Sequence, residues 1–155
     1  MSVRCGTGRA AAGFLVATGV AVAVNLAATP LYHDGASEYP VWKVLNWFMA
    51  VGVVTVLATV FLNRRTQGNR EEGCPRCALV GGVVFYASVV LASLFFWEWF
   101  WTLNPDSETG DAVTSHLVYF PVVDMLYTVV VLVVGRRLWR RHSGAGTSPS
   151  ARLDG

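Results

Sequence analysis

The sequence predicts an all-α membrane protein, with four transmembrane helices in an antiparallel bundle. Three observations lead to this fold class. The 155-residue chain is 54% hydrophobic and 14% charged, whereas ordinary soluble domains carry about 25% charged residues. The apolar residues are concentrated in four long stretches, and a helix needs about 20 of them to cross a bilayer. The arginines precede the first stretch, lie between the second and third, and follow the fourth.

The four spans are expected at about residues 11–31, 41–62, 78–101 and 115–135. Helices are expected because four strands cannot close a barrel, and an open sheet leaves backbone polar groups unpaired in lipid. Short connections make consecutive spans antiparallel neighbours. We therefore predict one transmembrane domain over residues 1–142. Residues 143–155 are rich in Gly, Ser and Pro and are expected to form a disordered cytoplasmic tail.

The placement of the arginines predicts the orientation of the chain. Eleven arginines precede the first span, lie between the second and third, or follow the fourth, while Lys43 is the only cation on the other side. Because Lys and Arg are retained on the cytoplasmic side, both termini are expected to be cytoplasmic. The absence of isoleucine and the single lysine indicate a GC-rich, prokaryotic genome, so the plasma (inner) membrane is the expected location.

The beginning of the chain also allows a second interpretation. Arg4 and Arg9, the apolar run after them and the small residues Ala21 and Ala23 fit a cleavable secretory signal. The run continues to Leu31, which favours a retained span. Cleavage would leave three spans with the same orientation.

Small residues recur every fourth position in the first span, at Gly13, Ala17, Ala21, Asn25 and Thr29. In lipid, such a stripe allows two helices to approach closely. It predicts that the first span packs against the second or third. The alternative is that alanine is simply common in this chain.

Asp124 is the most informative residue of the spans because it is expected near the middle of the bilayer. A carboxylate there costs about 2.5–3.5 kcal/mol on insertion scales, and no Lys or Arg lies at a comparable depth. It is therefore expected to be protonated, hydrogen-bonded, bound to a cation or beside water. Two interpretations stay open: a functional site, or a structural hydrogen bond to Asn25 or a threonine.

The strongly polar residues of the spans lie in the outer halves or near the midplane, which predicts a polar cavity open to the outside. As alternatives, Glu98 can be a solvated interfacial residue, and His116 with Asp124 can form a metal site. The spacing of these two residues matches no known metal motif. The cavity candidates are Asp124, His116, Glu98, Asn25, Asn46, Tyr119 and Tyr127.

Cys74 and Cys77 form a CxxC motif in the connection between the second and third spans. On the cytoplasmic side, such a pair is expected to be redox-active or metal-binding rather than a structural disulfide. A closed zinc site needs four ligands, which Cys5 and His142 or a second copy of the chain would have to complete. Two unpaired thiols are the alternative.

No complete catalytic motif accompanies these residues, so no catalytic residue is assigned. We expect a non-enzymatic accessory or assembly subunit of a membrane complex, which contacts the lipid bilayer and a membrane-protein partner or a second copy. Two alternatives stay open: a proton- or cation-coupled transporter or channel that uses Asp124, and a membrane metal or redox enzyme. The sequence implies no particular cofactor, and a metal ion is the one candidate that its His, Cys and Asp residues offer. The net charge of +2 gives no reason to expect a nucleic-acid partner.

Overall fold

The computed structural model describes residues 3–32, 40–67, 75–103 and 118–143. Within these ranges the chain is all-helical, as predicted. The predicted tail lies outside the described residues except for Ser143. The helices are α1 (Val3–Tyr32), α2 (Pro40–Gln67), α3 (Pro75–Thr102) and α4 (Phe120–Ser143).

Three helices are long and apolar enough to cross a membrane: Thr7–Tyr32, Pro40–Arg65 and Leu79–Phe100. They confirm the first three predicted spans and suggest that the protein resides in a membrane. Within the described residues α4 is not apolar enough to be counted with these three helices. Every 18-residue stretch of α4 contains at least three charged residues, whereas a membrane-compatible stretch contains at most two. The predicted fourth span begins at residue 115, outside those residues.

Prolines lie at or near helix ends. Pro40 and Pro75 begin α2 and α3, and Pro121 is the second residue of α4. Proline is tolerated in a first turn because the amide it lacks has no intrahelical partner there. Pro30 lies two residues before the end of α1. The interiors of α2 and α3 contain no proline, which allows them to continue across the apolar stretch without interruption.

Glycines bring α1 and α4 together. A Cβ added to Gly19 would lie 2.7 Å from Cγ2 of Val131, and one added to Gly135 would lie 3.0 Å from Cγ2 of Val16. The side chain of Leu15 and the backbone of Ala12 also lie within 3.4 Å of the added Gly135 atom. These distances leave no room for a side chain, so glycine at both positions permits the close approach of the two helices.

The predicted small-residue stripe of α1 packs differently from the expectation. A Cβ at Gly13 would meet nothing within 4 Å, and Ala17 and Ala21 are exposed. The bundle instead buries the neighbouring face of α1, which carries Leu15 and Val22. This face is bulkier, and the larger apolar side chains bury more surface against α4.

The core consists of apolar side chains from all four helices, with Tyr127 as its largest fully buried member. Residues less than 2% exposed include Leu15, Val22, Met49, Val53, Val56, Leu91, Tyr127 and Val131.

Aromatic rings join α2 to α3 near the end of α3. The ring of Trp99 makes an edge contact with Trp47, with centroids 4.8 Å apart, and lies 5.9 Å from the ring of Phe95. Such pairs add to the energy of area burial because ring edges carry partial positive charge and faces negative charge. They hold together the region in which Glu98 lies.

The arginines gather at the opposite end of the bundle. The guanidinium of Arg9 lies 5.5 Å from the ring centre of Trp139, which connects the start of α1 with the end of α4. The side chain of Arg141 donates a hydrogen bond of 2.8 Å to Asn63, which connects α4 with α2. These contacts place the last turns of α2 and α4 beside each other.

Candidate functional site

Asp124 lies in the second turn of α4 and is 5% exposed. Its carboxyl oxygens make no hydrogen bond to any residue in the described part of the chain. Glu98 on α3 is near enough for the two charges to repel each other. Two of the predicted cavity candidates, Asp124 and Glu98, therefore lie within electrostatic range of each other.

Tyr127 lies one turn further along α4 and is fully buried. Its hydroxyl donates a hydrogen bond of 3.1 Å to Oγ1 of Thr18 on α1. The hydroxyl of Thr18 in turn donates to the backbone carbonyl oxygens of Phe14 and Leu15, at 2.9 and 3.1 Å. The buried phenol thus has a partner on another helix, as a buried polar group requires.

Gly52 of α2 provides the space that the Tyr127 ring occupies. A Cβ at this position would overlap the hydroxyl oxygen of Tyr127 and would lie 3.1 Å from its Cζ atom. One side chain of α4 therefore joins α1 through Thr18 and α2 through Gly52. Sequence reasoning placed Tyr127 among the cavity residues but missed Thr18 and Gly52. Gly52 is the only glycine between residues 41 and 62, a signal that could have identified it.

Asn25 belongs to a polar network at the end of α1. Its Oδ1 accepts a hydrogen bond of 3.0 Å from the hydroxyl of Tyr32, while its Nδ2 is buried without a partner among the described residues. The hydroxyl of Thr29 donates to the backbone oxygen of Asn25 at 2.7 Å, and Nε1 of Trp42 donates to Thr29 at 3.3 Å. The bond from Trp42 to Thr29 therefore connects α1 with the start of α2, and the partner of the Asn25 side chain is Tyr32 rather than Asp124.

The other cavity candidates are exposed or partly exposed, or lie outside the described residues. Glu98 and Asn46 are partly exposed on α3 and α2, and Tyr119, just before α4, is 57% exposed. His116 lies outside the described residues, so its place relative to Asp124 stays a prediction.

The metal and redox hypotheses also depend on residues that the structure does not describe. Cys74 lies outside the described ranges, and Cys77 is in the first turn of α3, where the side chain is not described. Among the residues that are described, no three His, Cys, Asp or Glu side chains form a group that could hold a metal ion. The CxxC motif therefore stays a prediction.

A cavity of about 110 Å³ lies at the arginine end of the bundle, between α2, α3 and α4. The prediction of an outward polar cavity concerned the other end of the spans, so this cavity was missed. The pattern of arginines along the chain predicts the orientation but not a cavity, although Arg137 and Arg141 share one face of α4 at a spacing of four residues. The polar and glycine residues that line this cavity include Thr59, Asn63, Arg64, Gly82, Arg137 and Arg141.

Comparison with known proteins provides no relative for this chain. No family model matches it, and neither the curated proteins nor the solved structures contain a match. The function is therefore inferred from the residues and their geometry.

Proposed function

We propose that this protein is a non-enzymatic accessory or assembly subunit of a membrane complex. It is a four-helix antiparallel bundle in the plasma membrane with both termini in the cytoplasm. The observation that carries the proposal is an exposed groove of small residues on α1, formed by Gly13, Ala17 and Ala21, which the bundle itself leaves unused.

Contacts between α1 and α4 support the antiparallel arrangement. A side chain at Gly8, near the start of α1, would overlap the ring of His142, near the end of α4. Further along α1, Gly19 lies against Val131, which precedes His142 by three turns. Residue numbers thus rise along α1 as they fall along α4. The arginine end, shared by the start of α1 and the ends of α2 and α4, is the cytoplasmic side by the positive-inside rule.

The exposed groove of α1 differs from the exposed faces of the other helices. Trp47 on α2, Trp97 on α3 and Met125 on α4 are each at least 60% exposed. Bulky side chains of this kind fill the space between a helix and lipid chains. On α1, Val20 and Val24 form a ridge beside the small-residue groove.

A groove of small residues is the surface on which transmembrane helices associate. Helices in lipid gain little from hydrophobic burial, so association depends on close backbone approach and van der Waals contact. The apolar window of α1 is 28% buried within the chain, as is that of α2, so the case for another helix at α1 rests on its small residues rather than on the extent of exposed surface. We infer that the occupant is a transmembrane helix of a different membrane protein.

The test replaces Ala17 or Ala21 with leucine in the tagged full-length chain, with Ala58→Leu as the matched control. Ala58 is exposed on α2, where added bulk meets only lipid. The protein is extracted in native membrane patches, and co-purifying proteins are quantified by mass spectrometry. We expect a stoichiometric partner to co-purify with the wild-type protein. With Ala17→Leu or Ala21→Leu the amount of co-purified partner should fall about tenfold, which corresponds to a loss of roughly 1.4 kcal/mol of binding free energy. Ala58→Leu should retain the partner.

Three results would contradict the proposal. Recovery of the wild-type chain alone in native membrane patches would show that no stable complex exists. Recovery of copies of this chain only would show self-association, which is a different role. An equal loss of partner in Ala17→Leu and Ala58→Leu would show that the groove is not the contact surface.

Proton or cation transport through Asp124 is a second candidate function. It is favoured by the burial of Asp124 near Glu98 without a hydrogen bond in the described part of the chain. Ionisable residues within membrane spans often lie on ion or proton pathways.

The transport hypothesis is tested with Asp124→Asn in reconstituted vesicles, with Asp124→Glu as the matched control. Asparagine has nearly the same shape but cannot carry the charge, so we expect proton or cation flux to disappear. Glutamate keeps the carboxylate and should retain part of the flux. Thermal unfolding in detergent shows whether each variant is folded. Unchanged flux in a folded Asp124→Asn protein would exclude this function.

A further inference from the structure

The cavity at the arginine end is surrounded by positive charge. Arg64 in α2 and Arg137 and Arg141 in α4 line it together. The described part of the chain contains two acidic residues, Glu98 and Asp124, and neither of them lines the cavity. Three like charges therefore line one cavity without a described carboxylate among its lining residues, and this arrangement attracts an anion.

Two of the three arginines are already oriented by their neighbours. The guanidinium of Arg64 lies 4.5 Å from the ring centre of Phe85, which also lines the cavity. The hydrogen bond of 2.8 Å from Arg141 to Asn63 holds the second guanidinium beside the same space. Pre-oriented guanidinium groups bind phosphate well because their planar donors form paired hydrogen bonds with its oxygens.

Part of the lining is apolar and fits the hydrocarbon part of a lipid. Val60 and Val134 line the cavity, as does Leu138 one turn beyond Val134. The apolar span of α2 ends at Arg65, next to Arg64, so the charged groups lie at the end of the apolar zone. A cavity that is charged at the membrane boundary and apolar beyond it matches a phospholipid, with its phosphate at the boundary and its chains in the apolar region.

The volume of the cavity admits such a group. One water molecule occupies about 30 Å³ in the liquid, and the cavity measures about 110 Å³. No side chain approaches within 4 Å of a Cβ built at Gly82, which lines one wall. The space is therefore open on the α3 side and large enough for a phosphate group.

We propose that this cavity binds the phosphate of an anionic phospholipid headgroup, held by Arg64, Arg137 and Arg141. The inference requires the protein to lie in a membrane. It depends neither on the partner helix at the α1 groove nor on Asp124. It assigns to three of the eleven arginines a binding role in addition to orienting the chain.

The test compares two triple variants of the purified full-length protein in uncharged detergent. The cavity variant is Arg64→Gln, Arg137→Gln and Arg141→Gln. The matched control is Arg65→Gln, Arg136→Gln and Arg140→Gln, which removes the same charge from the same two helices at exposed positions outside the cavity lining. The probes are phosphatidylglycerol, phosphatidylcholine and inorganic phosphate alone, with bound lipid counted by native mass spectrometry and stability measured by thermal unfolding.

We expect phosphatidylglycerol to bind to and stabilise wild type and the control variant, and phosphatidylcholine to do so much less. The cavity variant should bind phosphatidylglycerol at least about tenfold more weakly, because charge-assisted hydrogen bonds are among the strongest contacts that a side chain makes. Arg137→Gln alone keeps the contacts of Arg64 and Arg141. This single variant should lose less affinity for phosphatidylglycerol than the triple variant. It tests the proposal if the triple variant fails to fold.

Three outcomes would overturn the proposal. Equal losses in the cavity and control variants would mean that the arginines attract anionic lipid only as general surface charge. Stabilisation by inorganic phosphate equal to that by phosphatidylglycerol would assign the cavity to a soluble phosphate compound rather than a lipid. A folded Arg137→Gln or cavity variant with unchanged phosphatidylglycerol binding would show that the cavity is not the site.

Discussion

At the scale of single residues, Tyr127 connects the candidate site to the fold. Its hydroxyl binds Thr18 on α1 while its ring fills the space at Gly52 on α2. It lies three residues after Asp124, so the geometry around Asp124 depends on this contact between three helices. Interhelical hydrogen bonds in membranes are worth about 0.6 kcal/mol on average. Ring packing therefore contributes more than the hydrogen bond.

We predict that Gly52→Ala destabilises the protein by about 1–3 kcal/mol, as overpacking of a filled core does. The added Cβ overlaps the hydroxyl oxygen of Tyr127. Tyr127→Phe alone should cost about 0.6 kcal/mol through the lost hydrogen bond. Because it also removes the overlapping oxygen, the double variant should be more stable than Gly52→Ala alone. The free energy of unfolding in detergent is measured for the two single variants and the double variant. A loss of stability in the double variant equal to the sum of the two single losses would show that the two residues are not in contact.

Asp124 marks the limit of reasoning about single residues from sequence. Its burial and its lack of a nearby cation were predictable from its position in an apolar span. Its neighbours were not, since the sequence offered Asn25 as a hydrogen-bond partner. Asn25 instead binds Tyr32, two turns further along its own helix. The hydrogen-bond partner of Asn25 depends on how α1 is rotated about its axis, and the packing of the helices sets that rotation.

At the scale of elements, the contact of α1 with α4 depends on glycines that face a partner helix. Gly19 and Gly135 lie against side chains of the other helix, whereas Gly13 faces open space. The sequence shows all three as small residues in an apolar span. Only the packing distinguishes a glycine inside the bundle from one available to another protein.

We predict that Gly135→Leu and Gly13→Leu have different effects. Leucine at Gly135 would overlap Val16 and approach the backbone of Ala12, so it should destabilise the purified protein by about 1–3 kcal/mol. Leucine at Gly13 meets nothing, and its effect should stay within about 0.5 kcal/mol. The readout is unfolding in detergent monitored by circular dichroism. Equal destabilisation by the two variants would be incompatible with the described α1–α4 contact.

At the scale of the whole molecule, the charges are divided between the two ends of the bundle. Arg9, Arg64 and Arg141 contact rings or polar groups at one end. The two described acidic residues, Glu98 and Asp124, lie near the other end of their helices. This division is the basis for the proposed orientation, under which the proposed lipid site would lie on the cytoplasmic side.

We predict that the three native cysteines, Cys5, Cys74 and Cys77, all lie on the cytoplasmic side. A membrane-impermeant thiol reagent should therefore label the wild-type protein only after the cells are permeabilised. Ser107→Cys introduces a thiol into the predicted outer connection, and it should react in intact cells. Labelling of the native cysteines in intact cells would reverse the proposed orientation.

The sequence by itself determined the helical class, three membrane-compatible helices and the concentration of charge at the helix ends. These properties follow from hydropathy and span length, which are sums over neighbouring residues. The tertiary structure decided which small residues are buried and that Tyr127 contacts both Thr18 and Gly52. It also decided which arginines line the cavity. Arg64, Arg137 and Arg141 line it, whereas their neighbours Arg65, Arg136 and Arg140 do not. Local sequence cannot distinguish these neighbours because adjacent helical residues point about 100° apart, and the rotation of each helix is set by its contacts with the others.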